Sequence, residues 1–128
     1  MEQEVGREEG QEQEESFISK REIDGVVVLD IAGEIIGDRR LEFAHEIWDC
    51  IERGQMKIIL NVEEVPMMDS VGLGMISMAH SIIQGGEEKG IVLLNPGRSI
   101  RYLLAIVHLN QLFEQYEDED EAIASFRK

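Results

Sequence analysis

Strand-like runs of hydrophobic residues recur along most of the chain. An early run of mixed pattern and a second run rich in β-branched residues are separated by a turn at Gly25, and this arrangement predicts a hairpin. Two later runs are apolar without alternation, which is typical of strands buried on both faces. The predicted strands are residues 17–23, 26–33, 56–62 and 90–95, with a short edge strand at 113–116.

Between these strands, hydrophobic residues recur at helical spacing. The first helix is predicted to begin at Asp38, a candidate N-cap, and to stop at Gly54. The second is predicted to begin at Ser70 and to end at residues 85–86, which are both glycine. The predicted buried stripes are Leu41, Ala44, His45, Ile47, Trp48 and Ile51 in the first helix, and Val71, Met75, Met78, Ala79 and Ile82 in the second.

A third helix is predicted over residues 99–109, and the acidic run 117–121 supplies the negative first turn of a last short helix. Helices of this length between strands imply parallel neighbours joined by right-handed crossovers. The 128 residues, 43% of them hydrophobic, are enough for a single core. We therefore predict an α/β fold, with one domain and a mostly parallel mixed sheet of about four to five strands with packed helices.

The charge of the chain narrows the range of partners. Asp and Glu number 27 against 12 Lys and Arg, which gives a formal net charge of −15. Such a surface repels phosphates, so no nucleic-acid partner is expected. Residues 1–16 contain seven glutamates and one arginine but too few apolar side chains to support folding. We predict a disordered acidic tail over 1–16 and a folded domain over 17–128.

Targeting and membrane segments are not apparent in the sequence. The N-terminus lacks a basic segment followed by an apolar core, which a secretory signal needs. No apolar run approaches the roughly 18 residues of a membrane span. We expect a cytoplasmic protein without membrane insertion.

Side chains that commonly carry catalysis or bind metals are scattered. Cys50 falls inside an amphipathic helix, which favours a small core residue over a reactive thiol. The histidines lie in separate helices without metal-ligand spacing, at surfaces or boundaries: His45, His80 and His108. Residues 72–74 read Gly-Leu-Gly but lack the third glycine of a dinucleotide fingerprint, and no Gly-Lys-Ser/Thr follows. We expect no metal, no cofactor and no enzymatic activity.

Ser70 lies where a buried strand gives way to a helix, and we expect it to cap that helix. A serine there is beside unpaired backbone N–H groups and the positive end of the helix dipole. The same position suits a phosphate. Two interpretations follow from the residues alone: Asp69 and Ser70 form a plain helix cap, or Ser70 is a modification site that acts as a switch.

The six residues after the third predicted strand resemble a known signature, Asp-Ser-Ser/Thr-Gly-Leu-Gly, of the STAS domain and of its anti-anti-sigma factors in bacterial partner switching. The resemblance covers residues 17–128. It implies that an anti-sigma factor with serine kinase activity binds the unmodified chain and is released when it phosphorylates Ser70. A serine phosphatase is a further implied partner. The implied partner-binding residues are Asp69, Ser70, Val71, Gly72, Leu73 and Gly74.

The chain departs from the family pattern at two places. Val71 occupies the position of the usual second hydroxyl residue. Residues 33–38 resemble the family's Gly-Glu-Leu-Asp turn, but Ile36 stands where the acidic residue is expected. Asp38 is a candidate to supply that carboxylate from a shifted position.

Side-chain size predicts how the motif meets a partner. Gly72 and Gly74 are expected to let a partner's backbone approach closely, with Leu73 as an apolar knob between them. Backbone N–H groups at the start of the helix are expected to hold the phosphate on Ser70.

A second interpretation keeps the STAS fold without phosphorylation. The chain is then a scaffold or adaptor module in a stress-signalling or transporter complex. Its partner is recognised through the neighbourhood of Met67, Met68 and Met75, since methionine surfaces adapt readily to different partners.

Overall fold

Residues 17–83 and 90–127 are described by the computed structural model of the chain. The strands are β1 (Ile18–Ile23), β2 (Val26–Ala32), β3 (Lys57–Glu64), β4 (Gly90–Leu94) and β5 (Gln115–Tyr116). The helices are α1 (Arg39–Glu52), α2 (Ser70–Ile83), α3 (Arg98–Ile106) and α4 (Glu119–Ala124), followed by a 3-10 turn at Ser125–Arg127. The predicted tail over 1–16 and the helix end at 85–86 lie outside the described residues.

The strands form one mixed sheet in the order β1-β2-β3-β4-β5. β1 and β2 make an antiparallel hairpin in which Ile18 pairs with Ile31 and Ile23 with Val26. The later neighbours, β2 with β3, β3 with β4 and β4 with β5, are parallel. The prediction of an α/β domain with a mostly parallel sheet and an antiparallel start is confirmed.

Successive side chains of the central strands alternate between two hydrophobic layers. In β2, Val27, Leu29 and Ile31 belong to the larger layer, which also contains buried residues of α1, α2 and α3. Val26 and Val28 belong to the smaller layer, which residues of the C-terminal segment close: Ala122, Ile123 and Phe126. Because β2, β3 and β4 are parallel and each precedes one helix, α1, α2 and α3 begin at the same edge of the sheet. We call this the carboxyl edge.

Local predictions at three positions are confirmed. Gly54, with a φ of 78°, follows the end of α1. The Asp118 side chain caps α4 by accepting a hydrogen bond from the Asp120 N–H, and the first turn of α4 is acidic. Cys50 is buried, and its burial raises the pKa of the thiol. Among the described helices, none is long and apolar enough to cross a membrane.

The predicted buried stripes of α1 and α2 are partly wrong. Ile47 and Ala79 are buried as predicted, but the following residues are exposed: Leu41, His45, Trp48, Val71, Met78 and Ile82. The buried residues of α2 are Gly72, Leu73, Ile76, Ala79, His80 and Ile83. Since α2 is apolar around most of its circumference, spacing alone does not separate its inner stripe from its outer one.

His80 was expected at a helix surface or boundary, and this expectation is wrong, because only 5% of the residue is exposed. Its Nδ1 accepts a hydrogen bond of 3.0 Å from the N–H of Ile91 in β4, and its ring lies 5.0 Å from that of Phe113. Within the described part of the chain, Nε2 has no hydrogen-bond partner. Burial disfavours the imidazolium form and lowers the pKa of His80.

This lowered pKa predicts acid sensitivity of the fold. As pH falls below 6.5, the ordinary pKa of histidine, the unfolded chain takes up a proton that the folded chain resists, so the free energy of unfolding decreases. In urea denaturation, the free energy of unfolding should fall more steeply with decreasing pH for the wild-type chain than for the His80→Gln variant. As a control, replacing the exposed His45 by Gln should leave the wild-type pH dependence in place. Equal pH dependence of the wild type and His80→Gln would contradict the prediction.

Candidate functional site

Two loops meet at the carboxyl edge of the sheet. One joins β3 to α2, and the other, residues 33–38, joins β2 to α1. Ile35 and Met68 form an isolated parallel bridge between these loops, and the Ile35 N–H donates to the Met67 carbonyl over 3.1 Å. The loop that resembles the family's acidic turn therefore lies beside the start of α2.

Ser70 is the first residue of α2, and it is exposed. The helix cap is Asp69, whose Oδ1 accepts a hydrogen bond of 2.9 Å from the N–H of Gly72. The carbonyl of Asp69 also accepts from the Leu73 N–H over 3.1 Å, which begins the helical bonding. The prediction that Ser70 itself caps the helix is wrong, because Asp69 fills that role one residue earlier. The Ser70 hydroxyl is not needed to hold the helix start.

A second helix contributes a charge to this site. Nε of Arg40, in the first turn of α1, donates to Oδ2 of Asp69 over 3.0 Å. The Gly72 N–H, and after it Arg40, lower the pKa of Asp69, which keeps the carboxylate ionised at neutral pH. The sequence interpretation missed Arg40. An arginine in a first turn opposes the helix dipole, and this is a signal that it pairs with a nearby carboxylate.

The Asp69 carboxylate engages backbone N–H groups at the start of α2. It accepts a hydrogen bond from the N–H of Gly72 and interacts with that of Val71. In the unmodified chain these N–H groups are therefore engaged by Asp69, and the expectation that N–H groups at the helix start hold a phosphate on Ser70 stays a prediction.

The structure divides the six residues of the motif between surface and core. Val71 is 50% exposed, and Gly74 is exposed with open space where a Cβ would stand. Leu73 is 2% exposed, so it packs in the core and the expected apolar knob is wrong. Gly72 is buried, and a Cβ there would lie 3.0 Å from Met68 Cγ and 3.2 Å from Ile35 Cγ2. Gly72 therefore permits packing inside the domain, not the approach of a partner.

Substitution by alanine is expected to have opposite effects on stability at the two glycines. Gly72→Ala should destabilise the domain by about 1–3 kcal/mol, because the methyl group overpacks the contact with Met68 and Ile35. Gly74→Ala should stabilise it by about 0.5–1 kcal/mol, since alanine is the better helix former and meets no neighbour. Urea denaturation of both variants measures the difference. A Gly72→Ala variant as stable as the wild type would contradict the described packing.

The remaining candidate residues lie partly on the surface and partly in the core. Asp38 is exposed at the N-cap position of α1, without a side-chain capping bond, and lines a shallow depression together with Ile36. Met67 is exposed, but Met68 is 5% exposed, so the expectation that Met68 contributes to an adaptable surface is wrong. Within residues 17–83 and 90–127, no cluster of His, Cys, Asp and Glu is arranged to hold a metal ion.

The fold agrees with comparisons to known proteins. Residues 17–122 match the STAS domain family. An anti-sigma factor antagonist from Mycobacterium paratuberculosis is 22% identical, with a TM-score of 0.76 over 87% of this chain and 93% of that one. Phosphorylated SpoIIAA, a Bacillus cell fate determinant, is 24% identical, with a TM-score of 0.67 over 84% of this chain and 96% of that one. These likenesses show a shared fold, and no curated protein sequence matches the chain.

Proposed function

Because the chain belongs to the STAS domain family, we propose that it is an anti-sigma factor antagonist regulated at Ser70. In this proposal the unmodified chain binds an anti-sigma factor with serine kinase activity and so frees that factor's client. Phosphorylation of Ser70 ends the binding. The proposal is supported by solved structures of similar fold, among them an anti-sigma factor antagonist and a phosphorylated SpoIIAA.

The exposure of Ser70 is the observation that carries the proposal. Its hydroxyl lies at the first position of α2, beside the half-exposed apolar side chain of Val71. A phosphoserine carries about −1.5 to −2 charges at neutral pH and binds water strongly. Burying such a group against an apolar partner surface is unfavourable, so the modified chain should be released.

The domain itself should stay folded when it is phosphorylated. Asp69 caps α2 and pairs with Arg40 without help from the Ser70 hydroxyl. The phosphate would also lie beside the Asp69 carboxylate, which carries a like charge, and this repulsion favours a phosphate that faces outward. Modification should therefore weaken binding of the partner, with little change in the fold.

The chemistry of the switch belongs to the partner enzymes. The kinase transfers the terminal phosphoryl group of ATP to Ser70 Oγ, the hydroxyl proton is lost, and ADP leaves. A serine phosphatase restores the hydroxyl with a water molecule and releases inorganic phosphate. In this cycle the chain is a substrate and a binding protein, so it needs no bound nucleotide, magnesium or catalytic base of its own.

Phosphorylation can be tested with the purified chain, ATP and the serine kinases encoded in the same genome. Intact mass and a peptide map should show one phosphate per chain, located on Ser70. Ser70→Ala should remain unmodified, while Ser99→Ala, which removes an exposed hydroxyl at the start of α3, should be modified like the wild type. A phosphate on another residue, or an unmodified wild-type chain, would contradict the proposal.

A second candidate function is a STAS scaffold or adaptor that works without phosphorylation. It is favoured by the exposed methionines Met67 and Met78, which offer an adaptable surface near and beyond the start of α2. Equal partner affinity of the wild type and Ser70→Asp, with no phosphoprotein in cells, would support this function over the switch.

A further inference from the structure

The immediate surroundings of Ser70 are acidic. Asp69 precedes it in the chain, and the neighbouring loop at residues 33–38 carries Glu34 and Asp38. Neither that loop, nor the loop that joins β3 to α2, nor α2 itself contains a lysine or an arginine. A phosphate dianion among carboxylates is repelled unless a positive charge lies within reach. Any such charge at this site must therefore come from another element of the domain.

Arg40 of α1 supplies a positive charge beside Ser70. Its Nε donates to Oδ2 of Asp69 over 3.0 Å. Because successive Cα atoms are about 3.8 Å apart, a guanidinium bonded to Asp69 is close enough for the charge of a phosphate on Ser70 to act on it. A guanidinium has five N–H donors, and in the described part of the chain Arg40 uses the one at Nε. The Arg40 side chain is 32% exposed, so its terminal N–H groups are accessible.

The other arginines near the carboxyl edge are directed elsewhere. The guanidinium of Arg39 lies over the ring of Phe17, 4.6 Å from its centroid. Arg98 and Arg101 line a depression at the start of α3 that no residue of α1 or α2 lines. Arg101 also donates to a backbone carbonyl of its own loop over 2.8 Å. Arg40 is therefore the arginine that is bonded to the residue preceding the candidate modification site.

A phosphate is a strong acceptor for a guanidinium, because the planar fork of N–H groups matches its oxygens and each bond is charge-assisted. The N–H of Gly72 at the start of α2 already donates to Asp69. We propose that Arg40 is the positioning residue that holds the phosphate of phosphorylated Ser70, donating from its terminal N–H groups while its Nε stays bonded to Asp69. This inference rests on the proposed phosphorylation of Ser70, and it adds the group of this chain that receives the phosphate.

A pH titration of the full chain, with phosphoserine installed at position 70 during translation, tests the role of Arg40. Phosphorus NMR reads the second pKa of the phosphate, which is ordinarily about 6. A nearby positive charge favours the dianion, so Arg40 lowers this pKa and Arg40→Gln should raise it. The proton affinity of the phosphate should increase about threefold, as expected for the loss of an exposed ion pair. Asp69 is present in both chains, so their comparison isolates Arg40.

Arg39→Gln is the matched control, because it removes the same charge one residue earlier, where the guanidinium packs on Phe17. It should leave the pKa of the phosphate close to that of the wild type. An unchanged pKa in Arg40→Gln would overturn the proposal and assign the phosphate to the backbone N–H groups of α2. The same rise in both variants would overturn it in favour of the overall charge of the domain.

A second measurement needs no substitution. In the phosphorylated wild-type chain, the side-chain nitrogen and proton signals of Arg40 should shift as the phosphate ionises, with the same pKa. Arg40 signals that do not follow the phosphate would overturn the proposal. Neither measurement contains a kinase or a partner protein. Failure here therefore concerns Arg40 alone, whereas failure of the proposed function would show as a wild-type chain that no kinase modifies.

Discussion

Ser70→Asp is expected to bind the proposed anti-sigma partner about 100-fold more weakly than the wild type, a loss of about 2.7 kcal/mol. The carboxylate places a charge at the exposed start of α2, where it must lose water to contact an apolar partner surface. Ser70→Ala should bind like the wild type because it adds no charge. Titration calorimetry with the purified partner measures all three affinities.

A charge placed elsewhere provides the control for this experiment. Ser99→Asp changes the net charge by the same amount at an exposed position in the first turn of α3. It should keep affinity within a few-fold of the wild type, since exposed charges away from a contact contribute little. A Ser70→Asp variant that binds as well as Ser99→Asp would show that the position of the charge does not matter, which contradicts the switch.

Leu73→Ala is expected to destabilise the domain by about 2–5 kcal/mol, because it removes a side chain from the core and leaves a cavity. Val71→Ala, two residues earlier on the outer surface, should change stability by about 0.5 kcal/mol or less. Urea denaturation followed by circular dichroism measures both values. If Leu73→Ala kept wild-type stability and lost only partner binding, Leu73 would be the surface knob that the motif first suggested.

The order of the strands and helices was predictable because hydrophobic residues recur with one period in strands and with another in helices. The continuous apolar runs of β3 and β4 contain little polar alternation, and the hydrophobic layers on the two sides of the sheet bury both of their faces. Gly25 and Gly54 mark turns that require a positive φ, so they fixed the ends of neighbouring elements. Strand and helix boundaries differ from the predicted ones by only a few residues.

The depth of side chains in α2 was not predictable from its spacing. Val71, Met78 and Ile82 form one apolar row and Leu73, Ile76 and Ile83 another, so either row matches a buried stripe. Only the position of α2 against the sheet and α1 decides between them. His80 was misplaced for a related reason, since a polar type within an apolar helix gives no sign of its partner in β4.

The candidate site was predictable in its location and not in its contacts. The motif placed Ser70 at the junction of strand and helix, and the structure has it there. The capping role of Asp69 and its bond to Arg40 depend on how closely α1 approaches α2, which is a tertiary property that local patterns do not contain. The burial of Gly72 has the same origin, because it depends on the loop of Ile35.

Phosphoserine installed at position 70 during translation tests the central claim most directly, since it needs no active kinase. Calorimetry should show that the phosphorylated chain binds the proposed anti-sigma partner about 100-fold more weakly than the unmodified chain does. The amide spectrum should change only near the start of α2, which would confirm that the domain stays folded. Equal affinity of the two forms, with phosphate verified on Ser70 by mass, would contradict the account.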